Sequence, residues 1–266
     1  MARGAVLVSL ALLPSALFAC SVPAAPVSNQ SGLSGPSPGT PPPPSPSPIT
    51  THVGIDVLIG SGPGGNGAGA YRYRVEYPKL EGNTGLVLGI DSVIRGSVQR
   101  DVAEFVNAAR NAPPNAAAPS TLDCMTRTDR TTDRLAVLRV DCTEYHAGAA
   151  HVSASSHTFN CDLARGRVLS LQDLFTQGSE YLTVLSEAAR QQLAAKLGIG
   201  DDKTLADSTA PAVDNFKEFL LEKDALVIVF PRYQVADGSP GEPEVDISYG
   251  DLERYFANGV KGLVGP

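Results

Sequence analysis

Three strand-like stretches, Ser120 to Thr128, Leu135 to Tyr145 and Val152 to Leu163, follow one another with only the turn signals Asp129 to Arg134 and Ala147 to Ala150 between them. Alternating stretches joined by such short turns imply an antiparallel meander. With the first loop centred on Asp133, Thr126 faces Val140 and Cys124 faces Cys142. Opposed residues of an antiparallel pair hold their β-carbons ~4.5 to 5.5 Å apart, within reach of a disulfide. A Cys124–Cys142 bond is therefore expected. The competing pair, Cys142 with Cys161, needs a register centred near residue 151 or 152 and fits the second loop less well. Cys161 is then a buried free thiol.

The flanks supply further elements. Val53 to Ile59 reads as a first strand and the glycine-rich stretch Gly60 to Gly69 as a loop. In Tyr71 to Tyr77 the alternation puts Tyr71, Tyr73, Val75 and Tyr77 on one strand face, and Pro78 is expected to end that strand. Val98, Val102, Phe105, Val106 and Ala109 line one side of a helix over Ser97 to Arg110, which Asn111-Ala-Pro-Pro stops. Ser170 caps a short helix through Phe175, and Glu180 to Leu197 is an amphipathic helix with Leu182, Leu185, Ala189, Leu193 and Leu197 inward. Phe216 to Leu221, Leu226 to Phe230 and Val245 to Tyr249 read as strands, and Asp251 to Phe256 as a closing helical turn. The result is a single α+β domain over residues 52–266, an antiparallel sheet with a few helices packed on it.

The N-terminus predicts an address. One cation, Arg3, precedes an apolar run from Ala5 to Leu13 and a cleavage region up to Ala19, which is the pattern of a signal peptide over residues 1–19. The run is shorter than the ~20 residues a membrane-spanning helix needs. Leu17-Phe18-Ala19-Cys20 resembles the bacterial lipobox, so Cys20 is the expected lipidation site and the membrane its partner. Residues 20–51 are rich in Pro, Ser and Gly with almost nothing to bury, and form a solvated tether. At ~3.1 Å per residue it could reach up to ~90 Å from the anchor. The expected location is the extracytoplasmic face of the cell membrane.

Removing residues 1–19 takes away Arg3 alone, leaving 20 cationic against 28 acidic side chains and a formal net charge of -8. With no Lys/Arg cluster, nucleic acid is excluded as a partner. Gly60-Ser61-Gly62-Pro63-Gly64-Gly65 fits G-x-G-x-x-G, yet a strand follows where a phosphate-binding helix would have to start. Gly35-Pro36-Ser37-Pro38-Gly39 fits G-x-S-x-G, but two prolines in a tether cannot build a nucleophile elbow. The four histidines, His52, His146, His151 and His157, lack partners at a metal-ligand spacing, although His151 and His157 fall on one strand face. No metal, cofactor or catalytic residue is assigned. Ser153, Ser155, Ser156 and Ser186 with those histidines and Asp162 allow several triads without singling one out.

A resemblance runs through the second half. His146-Ala-Gly-Ala-Ala-His151, the segment Phe159 to Phe175, and Asn215 through Pro231-Arg232-Tyr233 to Asp251-Leu252 resemble the family of the RsiV extracellular domain, a lysozyme receptor, and of the secreted mycobacterial immunogenic MPT antigen. The resemblance covers roughly residues 70–257. Ala149 replaces a glycine of the family signature and Cys161 a larger apolar residue. With no cytoplasmic segment or transmembrane helix read in the chain, sigma-factor sequestration of the RsiV type is not expected. What the resemblance implies is a non-catalytic binding or sensing module for a protein such as lysozyme or for peptidoglycan, with Gly148 and His151 in the candidate ligand-binding loop. Esterase activity, associated with some mycobacterial relatives, is the alternative.

Overall fold

Strands β3 (Ser120–Thr131), β4 (Leu135–Tyr145) and β5 (Ser153–Asp162) form the antiparallel meander at the centre of a six-stranded sheet. The computed structural model describes residues 51–63, 69–113, 118–200, 203–236 and 241–265. The chain divides into Met1–Ser45 and Pro46–Pro266. The signal peptide, Cys20 and all of the tether but Thr51 lie outside the described residues, as do Gly35 to Gly39 and Gly64 and Gly65 of the glycine motifs. The hairpin turn lies between Thr131 and Leu135, and a bulge between Thr128 and Arg130 shifts the register, so that Thr126 pairs with Val140 and Cys124 with Cys142. The extra residue in one strand offsets the off-centre turn.

Strand β1 (Thr51–Ser61) pairs antiparallel with β2 (Tyr71–Gly82), and helix α1 (Gly85–Arg110) carries the chain over the sheet to β3, which runs parallel to β2 from Tyr71↔Ser120 to Val75↔Cys124. A parallel pair needs such a crossover. Pro78 does not end β2; it lies inside the strand opposite Ile55. The reason is on the other side: β3 leaves β2 after Val75, and the Leu80 N–H, two residues on and facing the same way, donates to Asp91 Oδ1 at 3.0 Å rather than to a strand. A residue without an N–H is tolerated where no ladder partner waits.

Helix α1 begins three turns earlier than its apolar periodicity predicts. Gly85, Gly89 and Gly96 dilute that signal, and glycine disfavours helix. The Thr84 hydroxyl accepts from the Val87 N–H at 3.3 Å, and the buried Asp91 accepts from Leu80 N–H and from Arg95 Nη2 at 2.8 Å, which ties the glycine-rich turns to β2. Val87, Ile90, Ile94, Val98, Val102 and Phe105 then pack on a sheet face made by Val75, Leu122, Val140, Phe159 and Cys161.

The opposite face holds a second core. Leu135 and Val137 of β4 join helix α2 (Tyr181–Leu197), whose Leu185, Ala189 and Leu193 are fully buried, and a separate three-stranded sheet of β7 (Phe219–Leu221), β8 (Ala225–Val229) and β9 (Glu244–Ser248). The meander continues into the three-residue β6 (Arg167–Leu169), which covers β5 only from Asn160 to Asp162. Side chains link the two sheets: Asn160 Nδ2 donates to Phe219 O at 2.6 Å, Asn160 Oδ1 accepts from Leu221 N–H at 2.8 Å, and Thr158 Oγ1 accepts from Phe219 N–H at 3.0 Å. Phe216 is not in a strand; it closes a 3₁₀ turn, Val213–Phe216, and is fully buried. Ser170 and Asp173 form a reciprocal capping box on the 3₁₀ turn Leu171–Leu174. Short helices α3 (Lys203–Ser208), α4 (Tyr249–Leu252) and α5 (Lys261–Val264) complete the chain. Arg130, beside the β3 bulge, holds the last of these by donating to Glu222 O, Val264 O and Gly265 O at 2.9 to 3.2 Å.

Candidate functional site

Where α1 and the meander diverge they leave a small cleft of about 60 Å³, floored by apolar side chains and by the Cys124–Cys142 disulfide. Val75, Val98, Val102, Phe105, Leu122 and Val140 are all more than nine-tenths buried there. The mouth is polar, with Asp101 from α1, Glu144 from β4, and Ser155 and His157 from β5. His157 Nε2 stands 3.9 Å from Asp101 Oδ2, and His146 Nε2 meets Glu144 Oε1 at 2.7 Å.

The loop predicted to bind ligand borders this mouth. His146 packs on Phe105 with ring centroids 6.1 Å apart, the buried Ala147 N–H donates to Ser120 Oγ at 2.9 Å, and a turn closes from Ala149 N–H to His146 O. Gly148 has φ +90°, and a β-carbon there would come within 3.3 Å of Pro113, just past the end of α1. Glycine meets both demands. His151 is exposed and precedes β5, which begins at Ser153, so His151 and His157 do not share a strand face as their spacing suggested.

The serines separate. Ser155 shares the cleft with His157, but no hydrogen bond joins them among the described residues. Ser153 Oγ donates to Glu144 O at 3.1 Å, and Ser186 lies on α2. Asp162 is fully buried and occupied by the Arg165 N–H and guanidinium. The cleft acid is instead Asp101, which sequence reasoning missed. Its available signal was its place one helical turn before Phe105, beside the apolar stripe.

On the opposite sheet face Ser156 enters a different network. The buried Arg139 donates to Asp141 Oδ1 and Glu244 Oε1, each at 2.5 Å, and to Ser156 Oγ at 2.9 and 3.1 Å. Glu242 lies 3.6 Å from the same guanidinium. Such a charge is held in a core only when paired on all sides, and the partners come from β4, from β5 and from the start of β9 with the residues just before it. Nearby, burial pushes the Glu218 carboxyl above the usual carboxylate range, opposed by His157 and by the N–H and O–H that Thr158 donates to it. No group of three or more His, Cys, Asp or Glu side chains placed to hold a metal ion occurs among the described residues. Nor is any helix among them long and apolar enough to cross a membrane.

Two solved structures from the DUF3298 family share this fold. The family protein from Pseudomonas aeruginosa PAO1 aligns with a TM-score of 0.57 at 16% identity, covering 79% of this chain and 96% of that one. The member from Bacteroides fragilis NCTC 9343 gives 0.57 at 18%, covering 80% and 97%. At these identities the fold is what is shared. In sequence, residues 172–250 match the family described as "Protein of unknown function (DUF3298)". The chain is also 36% identical over 103 residues to the peptidoglycan-N-acetylmuramic acid deacetylase PdaC of Bacillus subtilis (strain 168), which is 38% of this chain and 22% of that protein. The chain thus matches about a fifth of that relative's length.

Proposed function

We propose that this chain is an extracytoplasmic lipoprotein, anchored through Cys20, whose folded domain is a non-catalytic binding or sensing module of the cell envelope. Its ligand is a protein such as lysozyme or the wall polymer itself. The observation that carries the reading is the 36% identity over 103 residues with a protein named for its action on peptidoglycan. The RsiV and MPT-antigen resemblance supports the same surface role. So does the architecture of the cleft: an apolar floor with a few polar groups at the mouth is the usual form of a ligand site. The loop of Gly148 and His151 follows Glu144 of the mouth, whose carboxylate meets His146.

Two experiments test this. Co-sedimentation of the full chain with insoluble peptidoglycan, with calorimetric titration of lysozyme in parallel, is expected to show binding to one of the two, weakened by Gly148→Val and His151→Ala. Binding to neither removes both ligands. Labelling of cells with an alkyne fatty acid is expected to mark the wild-type chain and not Cys20→Ser; equal labelling of the two would refute the anchor.

A second reading rests on one juxtaposition, Ser155, His157 and Asp101 in a single cleft. These are the residue types of an ester hydrolase. Turnover of a chromogenic short-chain ester, abolished by Ser155→Ala and by His157→Ala, is the result that would establish it, and unchanged turnover in both would end it.

A further inference from the structure

The cleft combines two features that together select a chemistry. Its floor is apolar: Val98, Val102, Phe105 and Val140 are each less than a tenth exposed, and they line it with the Cys124–Cys142 disulfide. The carboxylates Asp101 and Glu144 stand at its mouth, 40% and 28% exposed, facing His157 at 3.9 Å and His146 at 2.7 Å, and no lysine or arginine is among the lining residues. An apolar cavity rewards the burial of hydrocarbon, while a carboxylate at the edge of a low-dielectric wall attracts a cation and repels an anion.

We propose that the cleft binds an aliphatic group that carries a cation at its outer end. The hydrocarbon enters between α1 and the meander, and the ammonium or guanidinium stays at the mouth between Asp101 and Glu144. The reverse orientation, head inward, would strip a charge of water against valine and phenylalanine with no partner. This deepens the binding reading above and rests on its choice of cleft. In a polypeptide ligand, the matching feature is a leucine, isoleucine or valine side chain with a neighbouring lysine or arginine.

Small probes test the site directly. The full chain is titrated with n-butylammonium, n-hexylammonium, n-hexanoate and n-hexanol, followed by thermal shift and by the methyl resonances of Val98, Val102 and Val140. Two added methylenes are expected to tighten the ammonium series roughly tenfold, with hexanoate at least tenfold weaker than hexylammonium. Val98→Phe, which fills the cleft, should abolish the shifts. Should that variant fail to fold, Asp101→Asn with Glu144→Gln, at the exposed mouth, should equalise hexylammonium and hexanol while both still bind. Equal binding of hexanoate and hexylammonium by the wild-type chain, or shifts confined to residues away from the cleft, would overturn the proposal. Lysozyme and peptidoglycan are measured separately. Loss of those interactions with hexylammonium binding retained would refute the wider function and leave the site, and the opposite pattern would refute the site alone.

Discussion

Asn160 joins the two sheets from a buried position. It is 1% exposed, and its amide makes two bonds to the edge of β7 that faces away from β8: Nδ2 to Phe219 O at 2.6 Å and Oδ1 from Leu221 N–H at 2.8 Å. Replacing it by leucine keeps the volume and leaves a buried carbonyl and a buried N–H without partners. Each orphaned group costs ~1 to 3 kcal/mol, so Asn160→Leu is expected to destabilise by about 3 to 4 kcal/mol. With a urea slope of ~1 to 3 kcal/mol per molar, the unfolding midpoint falls by more than ~1 M. Asn160→Asp adds a diagnostic. Its oxygen can still accept from Leu221, but an ionised carboxylate would face the Phe219 carbonyl, so this variant should recover stability as the pH falls and its carboxyl gains a proton to donate. Urea titrations monitored by circular dichroism at pH 7 and pH 5, with the disulfide intact, read both effects. A midpoint within ~0.2 M of wild type for Asn160→Leu would show that the linkage contributes nothing net, and the reasoning would fail.

Four further outcomes follow from the same structure. Gly166 has φ +67° and would place a β-carbon 2.8 Å from Leu86 Cβ, so Gly166→Ala should cost about 2 kcal/mol or more in a urea titration, and a neutral result would refute the clash. The Glu218 carboxyl is raised by burial, so the folded chain binds that proton more tightly than the unfolded chain does. This group therefore adds stability as the pH falls from its folded pKa toward ~4.3, a slope that Glu218→Gln should reduce in unfolding curves across that window. Burial pushes the Cys161 thiol up to about 12, and in a Cys20→Ser chain a chromogenic disulfide reagent should detect one thiol in denaturant and none in the native state. The Cys124–Cys142 bond closes a segment of sequence separation 18, so Cys124→Ser with Cys142→Ser should lose ~3 kcal/mol, and peptide mapping should find that pair linked and Cys161 free.

Much of the domain is legible in its residues, because much of it is local. Turn chemistry and alternation define the meander and its hairpin register, since both act within a few residues of one another. Apolar spacing located α2 and the second half of α1 for the same reason. The candidate loop was also visible, as a histidine- and glycine-containing connection between two strong strands. The acid that faces His157 was not. Asp101 and His157 are brought together only when α1 lies over β5, and a contact between residues so far apart leaves no periodic trace.

The sequence by itself therefore determined the α+β class, the order of most strands and the charge of the chain. The tertiary structure alone decided that Pro78 stays within a strand, that α1 starts at Gly85, and that the strands divide into two sheets. Each of those outcomes depends on a polar group satisfied from elsewhere in the chain: Asp91 receives the Leu80 N–H, and Asn160 bonds the free edge of β7. Propensity concerns a residue and its neighbours along the chain. Satisfying a buried N–H or carbonyl concerns whichever residue folding brings within about 3 Å of it.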